Sequence, residues 1–263
     1  MNGLSDALKG RHALITGGAR GIGLACARAL QQHGATLTLL GRNQTALDEA
    51  VAALRPQATV RAVVADIADE ASVRIAFEQA VRDAGVVDIL VNNAGQAVSQ
   101  RFDRTDAALW QSMLAVNLTG TFHCTQAALP GMLAAGWGRI INVASTAGLI
   151  GYAYTSAYCA AKHGVMGLTR ALALEVARRG ITVNAVCPGF TETNIVREAV
   201  SNIVSKTGRT AEAARDELAA RNPQGRLVQP EEVAQAVAWL ALPASASING
   251  QAIAVDGGEV MPG

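Results

Sequence analysis

Features that mark several other classes of protein are missing from this chain of 263 residues. Basic and acidic residues almost balance, and no basic block is present, which argues against a nucleic acid or an anionic membrane as the main partner. No apolar run is long enough to span a bilayer, and residues 1–9 lack the apolar centre of a signal peptide. We therefore expect a cytoplasmic protein that neither inserts into a membrane nor binds nucleic acid.

Cysteine and histidine are also sparse, with four of each. The cysteines show no CxxC spacing, which favours buried free thiols in a reducing compartment over disulfides or a zinc site. The histidines show no HExxH pattern, so we expect no metal. The positions are Cys26, Cys124, Cys159 and Cys187, and His12, His33, His123 and His163.

Aromatic residues make up only 4% of the chain, whereas half of all residues are hydrophobic and 26 are glycine. This composition is typical of buried parallel strands packed against closely approaching helices. Short aliphatic runs alternate with longer amphipathic ones, which predicts one α/β domain over residues 1–263 with a doubly wound parallel sheet. The predicted strands are 12–16, 36–40, 60–65, 89–92, 139–144, 182–187 and 252–255. The predicted helices are 22–33, 45–54, 70–84, 107–133, 156–179 and 231–240.

One segment, residues 190–225, breaks this rhythm between the sixth strand and the last helix. Connections in such folds are usually short, and a long one is often functional. We predict that this segment, called the insertion below, forms a mobile lid of one or two helices over the substrate. The alternative is a surface excursion without a role.

A glycine-rich turn, TGGARGIG at positions 16–23, follows the first strand and opens the first helix. Glycines there permit a tight turn and a close approach of the backbone to a pyrophosphate, which the helix N-terminus then faces. We therefore expect Gly17, Arg20, Gly21, Ile22 and Gly23 to bind a dinucleotide. A plain strand-to-helix turn is the alternative.

The end of the second strand, LGRN at 40–43, carries no acid for a ribose 2′-hydroxyl. Arg42 and Arg20 could instead clamp a 2′-phosphate, so NADP(H) is favoured and NAD(H) stays possible. Both arginines could equally be solvated loop residues. Asn43 is a further candidate contact.

Asp66 and Ile67 follow the third strand. The Asp66 carboxylate could accept a hydrogen bond from an adenine amino group, and Ile67 is a candidate contact beside it. A helix N-cap is the alternative role for Asp66.

Tyr158 and Lys162 lie four residues apart in a predicted helix, on one face. An ammonium beside a phenol lowers the phenol's pKa, which suits the phenol to proton exchange with an alcohol or carbonyl oxygen. Tyr152 and Tyr154 have no lysine at this spacing. A packed tyrosine beside a solvated lysine is the alternative.

Ser145 ends the fifth strand, where open α/β sheets bind their ligands. Together with Tyr158 it could donate to an oxygen that gains negative charge as hydride arrives at its carbon. Thr146 is the competing hydroxyl, and either one could simply cap a turn.

These motifs, together with NNAG at 92–95, Asn117 and Pro188-Gly189, follow the order of the short-chain dehydrogenase/reductase family, which the chain resembles over essentially its whole length. The resemblance implies a Rossmann fold of seven parallel strands and hydride exchange between a nicotinamide and a carbonyl or alcohol carbon. It implies that Tyr158 is the general acid/base, that Ser145 bonds the substrate oxygen, that Lys162 bonds the nicotinamide ribose, and that Asn117 supports a water relay.

The resemblance also implies further cofactor contacts. Backbone at Asn93, Ala94 and Gly95 would meet the adenosine ribose. After Pro188 and Gly189, the Thr191 backbone and the Thr193 hydroxyl would hold the carboxamide.

The chain most resembles reductases of 3-oxoacyl thioesters and polyketide ketones. Residues 129–137 carry no charge that could attract an acidic carrier protein, which favours a small ketone or a coenzyme A thioester as substrate. Arg197, Lys206 and Arg209 of the insertion could meet coenzyme A phosphates or face water.

The resemblance implies a homotetramer that pairs the apolar helices at 107–133 and 156–179. Residues 256–263 could reach a neighbouring subunit or fray.

Three rival functions remain for the experiments. An NAD-dependent secondary alcohol or 3-hydroxyacyl-CoA dehydrogenase working in the oxidative direction is the nearest one. A non-catalytic dinucleotide sensor should have lost Ser145, Tyr158 or Lys162. A serine hydrolase lacks support because no GxSxG elbow is present.

Overall fold

A computed structural model describes residues 6–54 and 59–261 of the chain. Seven strands form one sheet in the order β3-β2-β1-β4-β5-β6-β7, and each paired neighbour runs parallel. The predicted doubly wound seven-stranded sheet is confirmed. The strands are β1 His12–Thr16, β2 Thr36–Gly41, β3 Val60–Val64, β4 Ile89–Asn92, β5 Gly138–Val143, β6 Ile181–Pro188 and β7 Ala252–Val255.

Helices cover both faces of this sheet. The helices are α1 Gly21–Gln32, α2 Gln44–Leu54, α3 Glu70–Ala84, α4 Ala107–Leu114, α5 Gly120–Ala135, α6 Ser156–Val176, α7 Asn194–Thr207, α8 Ala211–Ala219 and α9 Pro230–Ala241. One apolar cluster packs α1, α2 and α9 on the sheet, and a second packs α3, α5 and α6. Since both faces are covered, β1, β5 and β6 are buried along their whole length, which explains their unbroken aliphatic runs.

The strand order reverses between β1 and β4, because the chain winds outward in opposite directions from that point. The carboxyl ends of these two strands diverge there, and a crevice opens between the loops that follow them. This feature of the topology positions the site described below.

The helix predicted over 107–133 is wrong as a single element. A π-helical turn, Ala115–Thr119, separates α4 from α5 and turns Asn117 inward, where it is 1% exposed. Gly120 begins α5, and a Cβ there would lie 2.6 Å from Cδ1 of Ile67. A periodic apolar pattern continues through a widened turn, so periodicity alone does not reveal it.

The insertion contains two helices, α7 and α8, as its amphipathic pattern predicted. Little of α7 is buried, since Val196 is its one buried residue in the described chain. Within residues 6–54 and 59–261, no helix combines the length and hydropathy that crossing a membrane requires.

Two terminal predictions fall partly outside the described residues. The structure does not describe residues 1–5, which belong to the segment predicted to lack the apolar centre of a signal peptide. It also does not describe residues 262–263, which belong to the segment predicted to reach a neighbouring subunit or fray. All four cysteines are free, and three are buried as predicted. The prediction is wrong for Cys159, which is partly exposed on α6.

Candidate active site

A cleft of about 1070 Å³ opens at the carboxyl ends of the strands, between the loops after β1 to β6 and the insertion. It brings together all the predicted site residues except Gly23. Those lining it are Gly17, Arg20, Gly21, Ile22, Arg42, Asn43, Asp66, Ile67, Asn93, Ala94, Gly95, Asn117, Ser145, Tyr158, Lys162, Pro188, Gly189, Thr191 and Thr193.

The glycine turn has the backbone that its sequence requires. Gly17 and Gly21 have φ of +64° and +52°, a region that side chains with a Cβ rarely adopt. Gly23 is buried and does not line the cleft, and its direct contact with a dinucleotide stays a prediction. A Cβ on Gly23 would overlap the carbonyl oxygen of Gly17, so this glycine lets α1 start against the turn.

The N-terminus of α1 faces the cleft without a cap from a side chain. Arg20 is the N-cap residue, its side chain makes no capping bond, and the first turn holds no acid. The first backbone N–H groups and the positive end of the helix dipole are therefore directed at the cleft. This arrangement fits the pyrophosphate of a dinucleotide.

A set of hydrogen bonds fastens the loop after β4 to this turn. The Asn93 side chain donates to the carbonyl oxygens of Thr16 (2.9 Å) and Gly17 (3.2 Å). The Thr16 hydroxyl accepts from the backbone N–H groups of Asn93 and Ala94, each at 3.0 Å. Thr16 was not predicted as a positioning residue, although its place at the end of β1, directly before the first glycine, was a usable signal.

Arg42 and Asp66 meet across the nucleotide end of the cleft. Nη1 of Arg42 lies 3.9 Å from Oδ2 of Asp66, and the Arg42 side chain is 70% exposed. The N-cap alternative for Asp66 is wrong, because Asp69 caps α3. Asn43 caps α2 instead, since its Oδ1 accepts from the Ala46 N–H at 2.9 Å.

Ser145, Tyr158 and Lys162 form a compact group at the ends of β5 and α6. The Ser145 hydroxyl hydrogen-bonds to the Tyr158 phenol and lowers the pKa of that phenol. Lys162, which is 4% exposed, places Nζ 5.7 Å from the Tyr158 ring centroid and donates to the Val143 carbonyl at 2.9 Å. The end of β5 therefore positions both side chains: the chain continues from it to Ser145, and its last carbonyl, that of Val143, binds Lys162.

The expected lowering of the Tyr158 pKa by Lys162 stays a prediction, and burial of the phenol acts in the opposite direction. Removal from water raises the pKa of Tyr158 to about 12, and the Ser145 hydrogen bond offsets only part of that rise. Burial likewise lowers the pKa of Lys162 to about 8. Desolvation is the largest cause of both shifts, because both groups are buried in the floor of the cleft.

The competing hydroxyl groups already have partners. The Tyr152 hydroxyl donates to Glu259 Oε1 and accepts from the Thr146 hydroxyl, each at 2.8 Å. Ser145 Oγ also accepts from the Ala147 N–H at 3.1 Å, so it caps a short turn as well as meeting the phenol. Tyr154 is exposed and has φ of 66°. Tyr158 is thus the tyrosine that meets both a serine and a lysine.

Asn117 fixes the loop that follows β4. Its side chain accepts from the Gln96 N–H (3.1 Å) and donates to the carbonyl oxygens of Gln96 (2.9 Å) and Met113 (3.0 Å). A Cβ on Gly95 would lie 2.8 Å from Oδ1 of Asn117, so glycine is required for this approach. The role of Asn117 in a water relay stays a prediction.

The segment after β6 begins the insertion and crosses back to the glycine turn. The Thr191 hydroxyl donates to the Gly189 carbonyl at 3.0 Å, and the Thr193 hydroxyl donates to the Thr191 carbonyl at 3.2 Å. The Thr193 Cγ2 atom lies 3.4 Å from the position of a Cβ on Gly21. The start of the insertion therefore closes one side of the cleft.

The substrate end of the cleft was not assigned from the sequence. It is lined by Gln96, Val98 and Ser99 after β4, by Ala147 and Tyr152 after β5, and by Phe190, Ile195, Val196, Glu198, Ala199 and Asn202 of the insertion. The spacing of 195, 198, 199 and 202 on an amphipathic helix was a usable signal for the inner face of α7. The described residues include no group of three or more His, Cys, Asp or Glu side chains that could hold a metal ion.

Comparisons with known proteins agree with this geometry. The family model described as short chain dehydrogenase matches residues 11–203. The chain is 40% identical to a D-beta-hydroxybutyrate dehydrogenase of Cupriavidus necator over 96% of its length and 99% of the relative. It is 37% identical to a 3-oxoacyl-[acyl-carrier-protein] reductase of Vibrio cholerae, covering 97% of this chain and 99% of that protein.

Among solved structures, the fold resembles an actinorhodin polyketide ketoreductase variant crystallised with NADPH. The TM-score is 0.92 at 39% identity, and the match covers 95% of this chain and 97% of the other.

Proposed function

Because the chain belongs to the short-chain dehydrogenase family, we propose that it reduces the carbonyl of a 3-oxoacyl thioester or a small ketone with NADPH. It is an oxidoreductase that acts on alcohol or carbonyl groups with a nicotinamide cofactor, and the family predicted from the motifs is confirmed. The substrate, the reductive direction and the choice of NADP(H) are the proposed parts.

The observation that carries the proposal is the joint placement of the Ser145 hydroxyl and the Tyr158 phenol in one cleft with the uncapped end of α1. When bound, the nicotinamide supplies the hydride for the carbonyl carbon. Ser145 and Tyr158 then serve as two donors to the oxygen that gains negative charge, which lowers the energy of the transition state. Tyr158 delivers the proton that completes the alcohol.

The electrostatics of the cleft support the reductive direction. A pKa of about 12 keeps Tyr158 protonated near neutral pH, as a proton donor must be. A pKa of about 8 leaves Lys162 largely cationic there, and its charge favours the phenolate formed after proton transfer. We propose that Lys162 also holds the nicotinamide ribose and that Asn117 supports proton supply to it.

The nucleotide end of the cleft supports NADP(H). We propose that Arg20 and Arg42 bind the 2′-phosphate, since both line the cleft and neither has an acid directly beside it in the chain. We also propose that Gly17, Gly21 and Ile22 hold the pyrophosphate, with Asp66 and Ile67 beside the adenine. On this proposal, Asn93 to Gly95 meet the ribose, and Pro188 to Thr193 hold the carboxamide.

One observation favours a second candidate, an NAD-dependent dehydrogenase that oxidises a secondary alcohol or a 3-hydroxyacyl thioester. The Asp66 carboxylate lies 3.9 Å from Arg42 and offsets part of its charge. The relative from Cupriavidus necator carries the name of a hydroxybutyrate dehydrogenase. Measuring both cofactors in both directions separates the two candidates.

The ion pairs of the insertion bear on coenzyme A binding. Arg197 lies 3.7 Å from Glu192, and Arg209 pairs with Glu217. These pairs leave Lys206 as the cation of the predicted three without an ion pair in the described part of the chain. Single surface charges add little affinity, so we propose that the acyl part of the substrate makes the main contacts.

We further propose that the chain works as one domain with residues 190–225 as a lid, and that it assembles as a homotetramer. Helices α5 and α6 expose Phe122 (44%) and Leu174 (82%), which supports a contact between copies of the chain. Light scattering of the purified protein measures the oligomeric state.

The proposal is tested by removing the hydroxyl group of Tyr158. Wild-type protein is offered panels of 3-oxoacyl-CoA esters, small ketones and alcohols with NADPH, NADH and their oxidised forms, and the absorbance of reduced nicotinamide is followed. Tyr158→Phe should lower kcat about 10³-fold, the size of a general acid's contribution, and leave cofactor binding intact. Tyr152→Phe is the matched control and should stay within about tenfold of wild type, because that hydroxyl only bonds Thr146 and Glu259.

Unchanged turnover in Tyr158→Phe would contradict the proposal. A wild-type protein that binds the cofactor and turns over none of the panel would support the non-catalytic sensor.

A further inference from the structure

Charges are unevenly distributed along the cleft. The cationic side chains among its lining residues are Arg20, Arg42 and Lys162. Arg20 and Arg42 belong to the glycine turn and the end of β2, at the nucleotide end. Lys162 lies beneath Tyr158, where its ammonium already donates to the Val143 carbonyl at 2.9 Å.

The substrate end, beyond Ser145 and Tyr158, carries charge of the opposite sign. Glu198 on the inner face of α7 is the charged residue that lines it within the described chain. Glu259 lies behind Tyr152 and accepts its hydrogen bond. Arg221 acts on that carboxylate through space, but it is exposed and does not line the cleft.

Three of the neutral polar side chains at this end bond other parts of the protein, whereas Ser99 and Asn202 also line it and are not tied in this way within the described residues. The Gln96 amide donates to the Ser112 hydroxyl at 2.9 Å, and the Thr155 hydroxyl donates to the Tyr152 carbonyl at 3.1 Å. The Thr146 hydroxyl donates to the Tyr152 hydroxyl, which lies 2.8 Å away. The remaining wall is mainly apolar, with Val98, Phe190 and Val196.

Such a wall suits an uncharged group better than a carboxylate. A carboxylate that leaves water needs a cation or several directed donors, whereas an ester or thioester carbonyl needs at most one hydrogen bond. An anion next to the reacting carbonyl would also meet the field of Glu198, while the Lys162 ammonium is buried beneath Tyr158 and bonded to the Val143 carbonyl.

We infer that the cleft selects substrates whose group next to the reacting carbonyl is uncharged, such as a thioester, an ester or a hydrocarbon, and rejects oxo acids with a free carboxylate. This inference rests on the proposed function, because it takes Ser145 and Tyr158 as the place of the reacting oxygen. It deepens that function by naming what the substrate end accepts.

The direct test uses two compounds that share the 3-oxobutanoyl group, ethyl 3-oxobutanoate and 3-oxobutanoate. Reduction of each is followed with saturating NADPH, and kcat/KM is compared. The neutral ester should be preferred on the order of 100-fold, because the anion is desolvated without a partner. A preference below about tenfold, or preference for the anion, would overturn the inference.

A charge reversal tests the cause of the selection. Glu198→Lys places a cation on an exposed helical position that lines the cleft, and it should raise kcat/KM for the anion about fivefold while changing that for the ester less than about twofold. The gain should shrink in high salt. Asp216→Lys on α8 is the matched control, since that residue is exposed and does not line the cleft, and it should leave the ratio unchanged. Equal effects of the two reversals would show that the cleft does not sense this charge.

Binding separates this inference from the proposed function. The Tyr158→Phe protein with bound NADPH is titrated with each compound, and quenching of the nicotinamide fluorescence reports occupancy without turnover. Tighter binding of the ester supports the inference even if the wild-type protein reduces neither compound, a result that would count against the proposed function alone. Equal or tighter binding of 3-oxobutanoate overturns the inference.

Discussion

Two regions face each other across one cleft: the sheet edge, where β4, β5 and β6 end, and the insertion at 190–225. Different interactions hold the side chains of the two regions in place. At the sheet edge, Asn117 and Lys162 are almost fully buried, and their side chains bond backbone carbonyls of neighbouring elements. In the insertion, the carboxylate of Glu192 joins the first residues after β6 to Arg197 of α7 and Arg215 of α8.

The difference in burial has consequences for function. Buried hydrogen bonds to the backbone hold side chains in one position, because breaking them leaves buried polar groups with no partner, neither protein nor water. Ion pairs with exposed arginines cost little free energy to open. Chemistry that needs a fixed oxygen, phenol and ammonium is therefore placed on the sheet. On the proposed function, recognition of the remaining substrate falls to the insertion, a connecting segment of the kind that tolerates changes in sequence.

The largest expected effect is at the sheet edge, from Gly23→Ala. The new methyl group would overlap the carbonyl oxygen of Gly17 and lie 2.6 Å from Nδ2 of Asn93. We expect destabilisation by about 1–3 kcal/mol and weaker nucleotide binding, measured by thermal unfolding and cofactor titration.

The matched change is Gly167→Ala, because that helical glycine has open space around its Cβ position. It should be neutral or stabilise by up to about 1 kcal/mol. Equal unfolding temperatures of the two variants would show that the glycine turn tolerates a methyl group as well as the open face of α6 does.

The next effect is at the nucleotide end, from Arg42→Ala. If the guanidinium binds a 2′-phosphate, loss of this charged hydrogen bond should weaken NADP(H) binding about 10- to 100-fold and leave NAD(H) binding almost unchanged. Intrinsic fluorescence titrations with both cofactors measure the ratio. Equal losses for the two, or no loss for NADP(H), would contradict the phosphate contact.

A third effect is the pH dependence that the sheet edge imposes. Burial lowers the pKa of Lys162 to about 8, so its ammonium is present below that pH and is lost above it. Tyr158, with a pKa of about 12, stays protonated over the same range. With NADPH as the varied substrate, kcat/KM should therefore be flat below about pH 7 and should fall about tenfold per unit well above pH 8.

Lys162→Arg tests the assignment of this fall, because a guanidinium keeps its proton throughout. The variant should be slower, yet its kcat/KM should show no decline near pH 8. A decline that persists in the variant would assign the titration to another group.

The smallest effect is expected in the insertion, from Glu192→Gln. The Glu192 side chain is 19% exposed, while its partner Arg197 is 71% exposed, so the pair contributes at most about 1 kcal/mol. We expect KM for the ketone to rise about threefold with kcat unchanged, and the rise to vanish in high salt. Glu217→Gln, which removes the Arg209 pair in the same segment, should change KM less than about twofold. A loss of kcat in Glu192→Gln would place this carboxylate in the chemistry.

The secondary structure was largely predictable because strands buried on both faces leave unbroken aliphatic runs. β1 and β4 were predicted with their observed bounds, and the ends of β2, β5 and β6 moved by one residue. The π-helical turn at Asn117 was not predictable, since the Asn117 side chain bonds the backbone of Gln96, which the fold rather than the helical pattern brings to it.

The candidate site was predictable as a set of positions but not as a set of contacts. Strand ends and glycine spacing indicated which residues would converge on one edge of the sheet. They did not indicate that Asn43 caps α2, that Asn93 ties down the glycine turn, or that Lys162 bonds Val143. Those partners are distant in the chain or compete locally, so only packing selects among them.

The sequence by itself determined the order of strands and helices, the glycine turn and the spacing of Tyr158 and Lys162, because these follow from local conformation and from the period of apolar residues. The tertiary structure decided which tyrosine meets a serine, how far burial moves the pKa values of the phenol and the ammonium, and which charges face the substrate. Each of these depends on how much water the fold excludes and on neighbours supplied by other elements, and neither quantity is written in a single segment.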